Sequence, residues 1–307
     1  MMAETTQQFR GVMKLDEPMS RHTSWRVGGV AQQFYQPADI SDLAMFLAQL
    51  PEQQDVFLIG LGSNLLVRDG GLNGTVICTS GVMNQIEILD NYQIRVEVGA
   101  ACPKVARTCA KKGLTGSEFL CGIPGTMGGA LAMNAGALGS ETWGLVKQVE
   151  TIDRHGNLHT RTPDEFDIAY RHIKYKKQKN KNSKDEWFVA ATLQLQAGDG
   201  DEITKTIKAY LARRSATQPT QQPNAGSVFR NPDGDYAARL IESSGLKNLC
   251  IGGACVSEKH ANFIINAGTA TAADIESLIG KVKETVKQEQ GVDLIHEVHI
   301  VGKEVAE

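Results

Sequence analysis

An α+β fold with more than one domain is predicted from three features of the sequence. Strand-length and helix-length segments mix without the regular alternation of a doubly wound sheet. Two glycine-bearing turns, Gly60 to Leu65 and Gly122 to Gly129, lie about sixty residues apart. A Pro/Gln-rich stretch, Gln218 to Asn224, divides a longer first part from a smaller second part. The 307 residues suit about two domains. With 41% hydrophobic and 22% charged residues, the chain can bury a core, which excludes disordered and low-complexity classes.

The elements follow in order. Met1 to Thr23 reads as a loosely held lead-in. Val30 to Tyr35 has strand character, and Ser41 to Leu50 has helical spacing with Asp39 or Ser41 as its cap. Val56 to Leu61 is an apolar strand running into the first glycine turn. Leu65 to Val67 extends again, and Arg68-Asp69-Gly70-Gly71 is a turn signal. Thr75 to Thr79, Gln85 to Leu89 and Ile94 to Val98 are strand-like. Pro103 to Lys112 is a helix with proline in its first turn and Gly113 past its end. Strands follow at Val146 to Asp153, Leu158 to Arg161 and Trp187 to Leu195, and a helix at Ile203 to Ser215. Beyond the linker come a helix at Tyr236 to Ser244, strands near Ala254 and at Phe263 to Asn266, a helix at Ala272 to Gln290 and a closing strand at Val298 to Val301. No internal repeat is visible.

Lys and Arg number 32 against 35 Asp and Glu, so no global basic excess suggests nucleic-acid binding. No apolar run reaches the length of a membrane span. Met1 to Gly11 lacks the apolar core of a signal peptide, so a cytoplasmic protein is expected. The six cysteines form no CxxC pair and have no histidine-rich partners, so no metal site is expected and all six are expected to be reduced thiols.

The glycine turns carry the strongest functional signal. A backbone N–H can approach a phosphate only where no Cβ blocks it, so such turns make anion cradles. Each alone reads first as a tight structural turn. Two in one domain point to a pyrophosphate-bearing ligand. Gly60-Leu61-Gly62-Ser63-Asn64-Leu65 lacks the third glycine of a Rossmann fingerprint, and a turn follows it instead of a helix. The Walker pattern is absent too. Loops between strands, rather than a helix dipole, are therefore expected to hold the ligand.

These segments resemble the two FAD-binding segments of the UDP-N-acetylenolpyruvoylglucosamine reductase family: Gly60 to Val67, and Gly122-Ile123-Pro124-Gly125-Thr126-Met127-Gly128-Gly129 with Met133-Asn134-Ala135-Gly136. The likeness continues through Tyr170-Arg171, Gly226 to Pro232, Val256 to Phe263 and Glu297 to Gly302, in one order. It implies a vanillyl-alcohol-oxidase-type (PCMH-type) FAD-binding fold of two subdomains, about 1–80 and 81–217. A smaller α+β substrate-binding domain, 218–295, and a C-terminal strand, 296–307, returning to the active site are also implied. The implied reaction reduces the enolpyruvyl ether of UDP-N-acetylglucosamine to UDP-N-acetylmuramate, with NADPH, in peptidoglycan synthesis.

That reaction needs a cation for the substrate carboxylate and an acid for its α carbon. Arg171 suits the first need, because a guanidinium forks onto a carboxylate and stays charged. Read alone, it is a surface arginine beside a lysine-rich run. The resemblance makes Arg171 and Glu297 the stabilisers of the intermediate and Ser227 its proton donor. Read alone, Ser227 is a turn serine and Glu297 a solvated strand-end charge. Tyr170, Arg214, Arg230, Asn231 and His260 are implied UDP-sugar contacts. His296 stands where relatives usually have proline, and Arg230 where they often have lysine. The short segment between Tyr170 and Trp187 marks the subgroup without an extra tyrosine-bearing loop. Lys174, Lys176, Lys177, Lys179, Lys181 and Lys184 read as a solvated surface, with attraction of phosphates as the second reading. No histidine lies in either glycine segment, and Cys121 reads as a buried thiol, so FAD is expected to be non-covalent. A monomer is expected. The rival readings are an FAD-dependent sugar or alcohol oxidase and a non-catalytic nucleotide-binding module.

Overall fold

A computed structural model describes residues 9–176 and 186–305. Its first sheet contains β1 (Val12–Pro18), β2 (Val30–Gln36), β3 (Val56–Ile59) and β5 (Leu72–Cys78), in the order β1-β2-β5-β3. β1 runs antiparallel to β2, while β2, β5 and β3 are parallel. Helix α1 (Ile40–Gln49) links β2 to β3, and Asp39 is its cap, accepting from the Asp42 N–H. Met19, Phe34, Val67 and Val76 form the core of this unit.

The lead-in expectation is corrected by β1. Its first five residues are exposed, so they show no buried alternation; backbone pairing to β2 alone makes the strand.

The second sheet is antiparallel throughout. Its order is Leu158–Arg161, Val146–Asp153, Glu186–Gln194, β7 (Gln93–Glu97) and β6 (Ile86–Ile88). Against it pack α2 (Cys102–Lys111), α3 (Met127–Met133) and α4 (Gly200–Thr217), around Val96, Leu120, Met127 and Ala191. The second glycine segment thus opens a helix, contrary to the expectation of loops alone. The glycines at 128 and 129 hide that helix from a propensity reading. It is two turns long, and buried Met127, Ala130 and Leu131 hold it.

The C-terminal unit packs α5 (Ala237–Ser243) and α6 (Ala272–Gln290) on a three-stranded antiparallel sheet of Cys250–Ile251, Ala254–Val256 and Ile264–Asn266. Trp25 is fully buried in this unit's core, and its indole donates to the Ile264 carbonyl at 2.7 Å. The closing strand His299–Val301 pairs in parallel with β4 (Leu65–Val67), directly after the first glycine segment.

Two further expectations meet the structure here. Cys250 and Cys255 are joined as a disulfide, which corrects the expectation of six thiols. The Gly252-Gly253 turn sets them directly opposite across a hairpin, with Cα atoms 4.1 Å apart. The expectation rested on compartment, whereas local geometry decides. Cys78, Cys102, Cys109 and Cys121 are free and buried. Lys177, Lys179, Lys181 and Lys184 lie outside the described residues. No described helix is long and apolar enough to cross a membrane.

Candidate active site

The two glycine segments meet face to face. A Cβ on Gly60 would fall 2.2 Å from Thr126 Oγ1, and one on Gly125 would fall 3.1 Å from Ser63 Oγ. Gly62 has φ +60, and a Cβ there would sit 2.0 Å from the His22 carbonyl oxygen. Both the conformation and the close approach demand glycine. Along this seam opens a cleft of about 510 Å³, a size typical of ligand sites.

Gly60, Leu61, Gly62, Ser63, Asn64 and Leu65 line the cleft from one segment; Gly122, Ile123, Pro124, Gly125, Thr126, Gly129 and Ala135 line it from the other. Gly128 and Asn134 lie outside the lining. Gly128 abuts Val98. Asn134 is fully buried in the left-handed conformation; its side chain donates to Glu141 and the Ala169 carbonyl and accepts from the Trp143 N–H.

These residues fit a dinucleotide cofactor. Thr126 Oγ1 is buried between the segments and has no hydrogen-bond partner among the described residues. Gly129 opens onto free space. An orphan hydroxyl in a glycine cradle is a ready partner for a bound polar group. Cys121 is buried under α4, its Sγ 3.9 Å from the Ile207 carbonyl.

Arg171, Ser227 and Glu297 line the same cleft, and each comes from a different element. Tyr170 and Arg171 are the two loop residues of a hairpin between Phe166–Ala169 and His172–Tyr175. Arg171 takes φ +53, sparsely populated by side-chain-bearing residues. Three contacts hold it. Its Nε donates to Glu297 at 3.0 Å, and its Nη atoms donate to the Asn134 carbonyl at 3.2 Å and the Gly136 carbonyl at 3.0 Å. Its guanidinium also lies over the Tyr170 ring, 4.9 Å from the centroid.

Glu297 precedes the closing strand. Its N–H donates to the Val228 carbonyl at 2.7 Å, and its carbonyl accepts from Asn64 Nδ2 at 3.1 Å. One residue thus ties the first glycine segment to the loop carrying Ser227. Only 15% of the Glu297 side chain is exposed. Burial raises its pKa, outweighing the pull of Arg171. His296 sits opposite Phe229 in strand fashion, but the bridge is made by its neighbours: the Glu297 N–H donates to the Val228 carbonyl and the Arg230 N–H to the Ile295 carbonyl, so neither bond uses the N–H that proline would lack.

Ser227 follows Gly226, whose φ of +76 turns the chain. Val228 and Phe229 after it are buried. Of the other expected contacts, Tyr170, Arg214 and Asn231 also line the cleft. His260 lines an adjoining cleft, which Arg214 shares. Burial lowers the pKa of Arg214, a cation whose Nε donates to Gln218. Burial likewise lowers the pKa of His260, favouring its neutral ring. Arg230 does not line either cleft; its Nε is buried without a partner among the described residues. His299, a lining residue not expected from sequence, lies beside Met133 Sδ, and burial lowers its pKa. Its place two residues beyond Glu297, at the start of the closing strand, is the signal that could have found it.

A mixed parallel sheet and an antiparallel sheet, joined by facing glycine turns, define a flavin-binding fold; a third unit supplies the far wall of the cleft. Residues 31–161 match the family model described as FAD binding domain. Residues 218–301 match that of the UDP-N-acetylenolpyruvoylglucosamine reductase C-terminal domain. The reductase of that name from Alkalilimnicola ehrlichii is 52% identical over 99% of both chains. That of Methylococcus capsulatus is 54% identical over 98% of this chain and 97% of its own. The crystal structure of the Thermus caldophilus reductase superposes with a TM-score of 0.78 at 30% identity, covering 95% of this chain and 98% of that one. The chain belongs to the UDP-N-acetylenolpyruvoylglucosamine reductase family. The expected fold class, an FAD-binding α+β fold with a further C-terminal unit, stands.

Proposed function

We propose that this chain reduces UDP-N-acetyl-enolpyruvoylglucosamine to UDP-N-acetylmuramate in peptidoglycan precursor synthesis, with non-covalent FAD and with NADPH as reductant. The carrying observation is the convergence of Arg171, Ser227 and Glu297 on a cleft walled by both glycine segments. Full-length relatives of that name support the substrate class.

Gly60 to Leu65 and Gly122 to Gly129 would hold the FAD diphosphate by backbone N–H groups, with Ser63, Asn64 and Thr126 as side-chain partners. FAD held there would supply the hydride chemistry that links NADPH to the β carbon of the enol ether. Negative charge then builds on the substrate carboxylate. Arg171, already oriented by Glu297 and two carbonyls, faces that charge without reorganising. Glu297, inclined by burial toward its protonated form, donates a hydrogen bond to the same group. Ser227 gives its hydroxyl proton to the α carbon and regains one from water, so the double bond gains H– and H+. Tyr170, Arg214, Arg230, Asn231 and His260 contact the UDP-sugar, with Arg214 the buried cation suited to its diphosphate. The reading divides the chain at 217 and 295 and places it in the cytoplasm as a monomer.

Anaerobic mixing tests it. The purified protein should be yellow, NADPH should bleach it, and the enol ether should restore the colour. Bleaching by a sugar or alcohol instead makes it an oxidase; colourless protein that takes up no FAD makes it a binding module.

A further inference from the structure

We infer that Asn262 is a positioning residue whose side-chain amide clamps the Phe229 backbone and so aims the Ser227 hydroxyl into the cleft. The inference rests on the proton-donor role read above for Ser227.

Asn262 lies on the connection between strands Ala254–Val256 and Ile264–Asn266 and is 4% exposed. Its Oδ1 accepts from the Phe229 N–H at 2.9 Å, and its Nδ2 donates to the Phe229 carbonyl at 2.8 Å. Its own carbonyl accepts from the Val228 N–H at 2.8 Å. Three bonds thus fall on the two residues directly after Ser227. On the other side, Val228 accepts from Glu297, and the Arg230 N–H donates to the Ile295 carbonyl at 2.9 Å. Before Ser227, the Gly226 N–H donates to Asn224 Oδ1 at 2.9 Å. The serine sits in a backbone fixed on both sides, and among the described residues Asn262 supplies the only side chain bonded to the Phe229 backbone. The Asn262 loop is itself held, since its N–H donates to His260 Nδ1 at 3.3 Å. That acceptor role assigns the neutral ring's proton to Nε2.

The chemistry of the clamp demands an amide. Phe229 is 1% exposed, so water does not replace a lost partner. One planar group must accept from an N–H and donate to a carbonyl at once. An ionised carboxylate only accepts, and it would face the Phe229 carbonyl oxygen. A protonated carboxyl does both, like the amide. Leucine does neither.

The test compares Asn262→Asp with Asn262→Leu in flavin-bound, full-length protein, each half-reaction read separately. Loss of one of these buried hydrogen bonds in Asn262→Asp, and of both in Asn262→Leu, slows recolouring by the enol ether at least about a hundredfold near pH ~8, while bleaching by NADPH stays within about twofold. As pH falls toward ~5.5, Asn262→Asp regains about tenfold relative to wild type, because burial raises the new carboxyl's pKa, and Asn262→Leu regains nothing. The ionisable groups around position 262 are Glu258, Lys259 and His260 on its own loop, and Arg230, His296 and Glu297 on the segments flanking Phe229. All are present in wild type, whose own profile is the control. On a Ser227→Ala background, Asn262→Asp adds no further slowing, because it acts through that hydroxyl. Unchanged recolouring, equal slowing of both half-reactions, or an Asp variant as slow as Leu at every pH would each overturn the inference. Wild type that NADPH bleaches but the enol ether does not recolour instead defeats the reading of the function.

Discussion

The proposed flavin cradle and the proposed catalytic trio line one cleft, yet they are built in opposite ways. The cradle is two short contiguous segments whose backbone would do the binding. The trio is three side chains spread over 126 positions of separation, as the Arg171–Glu297 contact shows, and each is held by partners from another element. Local chemistry written in one stretch of sequence survives as a motif. Geometry assembled from distant pieces leaves only isolated residues, each with a plainer meaning alone. The cradle should therefore fail all at once when one atom intrudes. The trio should fail in one half-reaction at a time.

Gly62→Val gives the largest effect and would break the cradle outright. A β-branched residue at φ +60, with its Cβ against the His22 carbonyl, cannot be accommodated. Flavin absorbance per chain should fall to near zero. Full flavin content would show that the two segments are not the cradle.

Ser227→Ala comes next and sharpens the contrast. A positioned proton donor contributes about 100- to 10,000-fold. Reoxidation by the enol ether should slow by that factor while bleaching by NADPH holds. Stopped-flow traces of both steps decide it, and equal slowing would remove the donor role.

Glu297→Gln is subtler and shows in pH. Burial raises the Glu297 pKa, so its donating form persists above the usual carboxylate range and is lost as pH rises. Reoxidation in wild type should fall along that limb, and the Gln variant should lack the fall. The same shift means that the folded state binds this proton more tightly than the unfolded chain. Its contribution to stability therefore declines as pH climbs from the unfolded pKa through the raised one.

Arg68→Ala is the smallest change and lies outside both regions. Arg68 forks onto Glu276 of α6 at 2.8 and 2.7 Å, with both side chains about a third exposed. Its removal should cost about 1 kcal/mol or less and lower Tm by at most a few degrees. A larger drop, measured by calorimetry, would make this contact a principal tie between the units.

The helices α1, α2, α4 and α6 and most strands were legible because apolar spacing and caps agree there, and α6 matches its sequence-read bounds residue for residue. β1 was hidden because its side chains are exposed, and α3 because glycines dilute its helical signal. The Cys250–Cys255 disulfide does not follow from compartment, because it depends on the Gly252-Gly253 hairpin that sets the two cysteines opposite each other. At the site, the glycine segments and the three side chains were legible from their motifs. Their supports were not. Asn134 and Gly136 orient Arg171 through backbone carbonyls, which no side-chain pattern records. His299 and Asn262 reach the cleft by tertiary placement, and only the two-residue spacing from Glu297 hinted at the first.

A structure of the chain loaded with FAD and the UDP-sugar enol ether puts the whole account at risk in one step. Phosphate oxygens seated on the 60–65 and 122–129 backbone, with the isoalloxazine face against the substrate alkene and Arg171, Ser227 and Glu297 around it, is the expected arrangement. A flavin bound elsewhere, or one whose ring lies beyond reach of those three side chains, would contradict it.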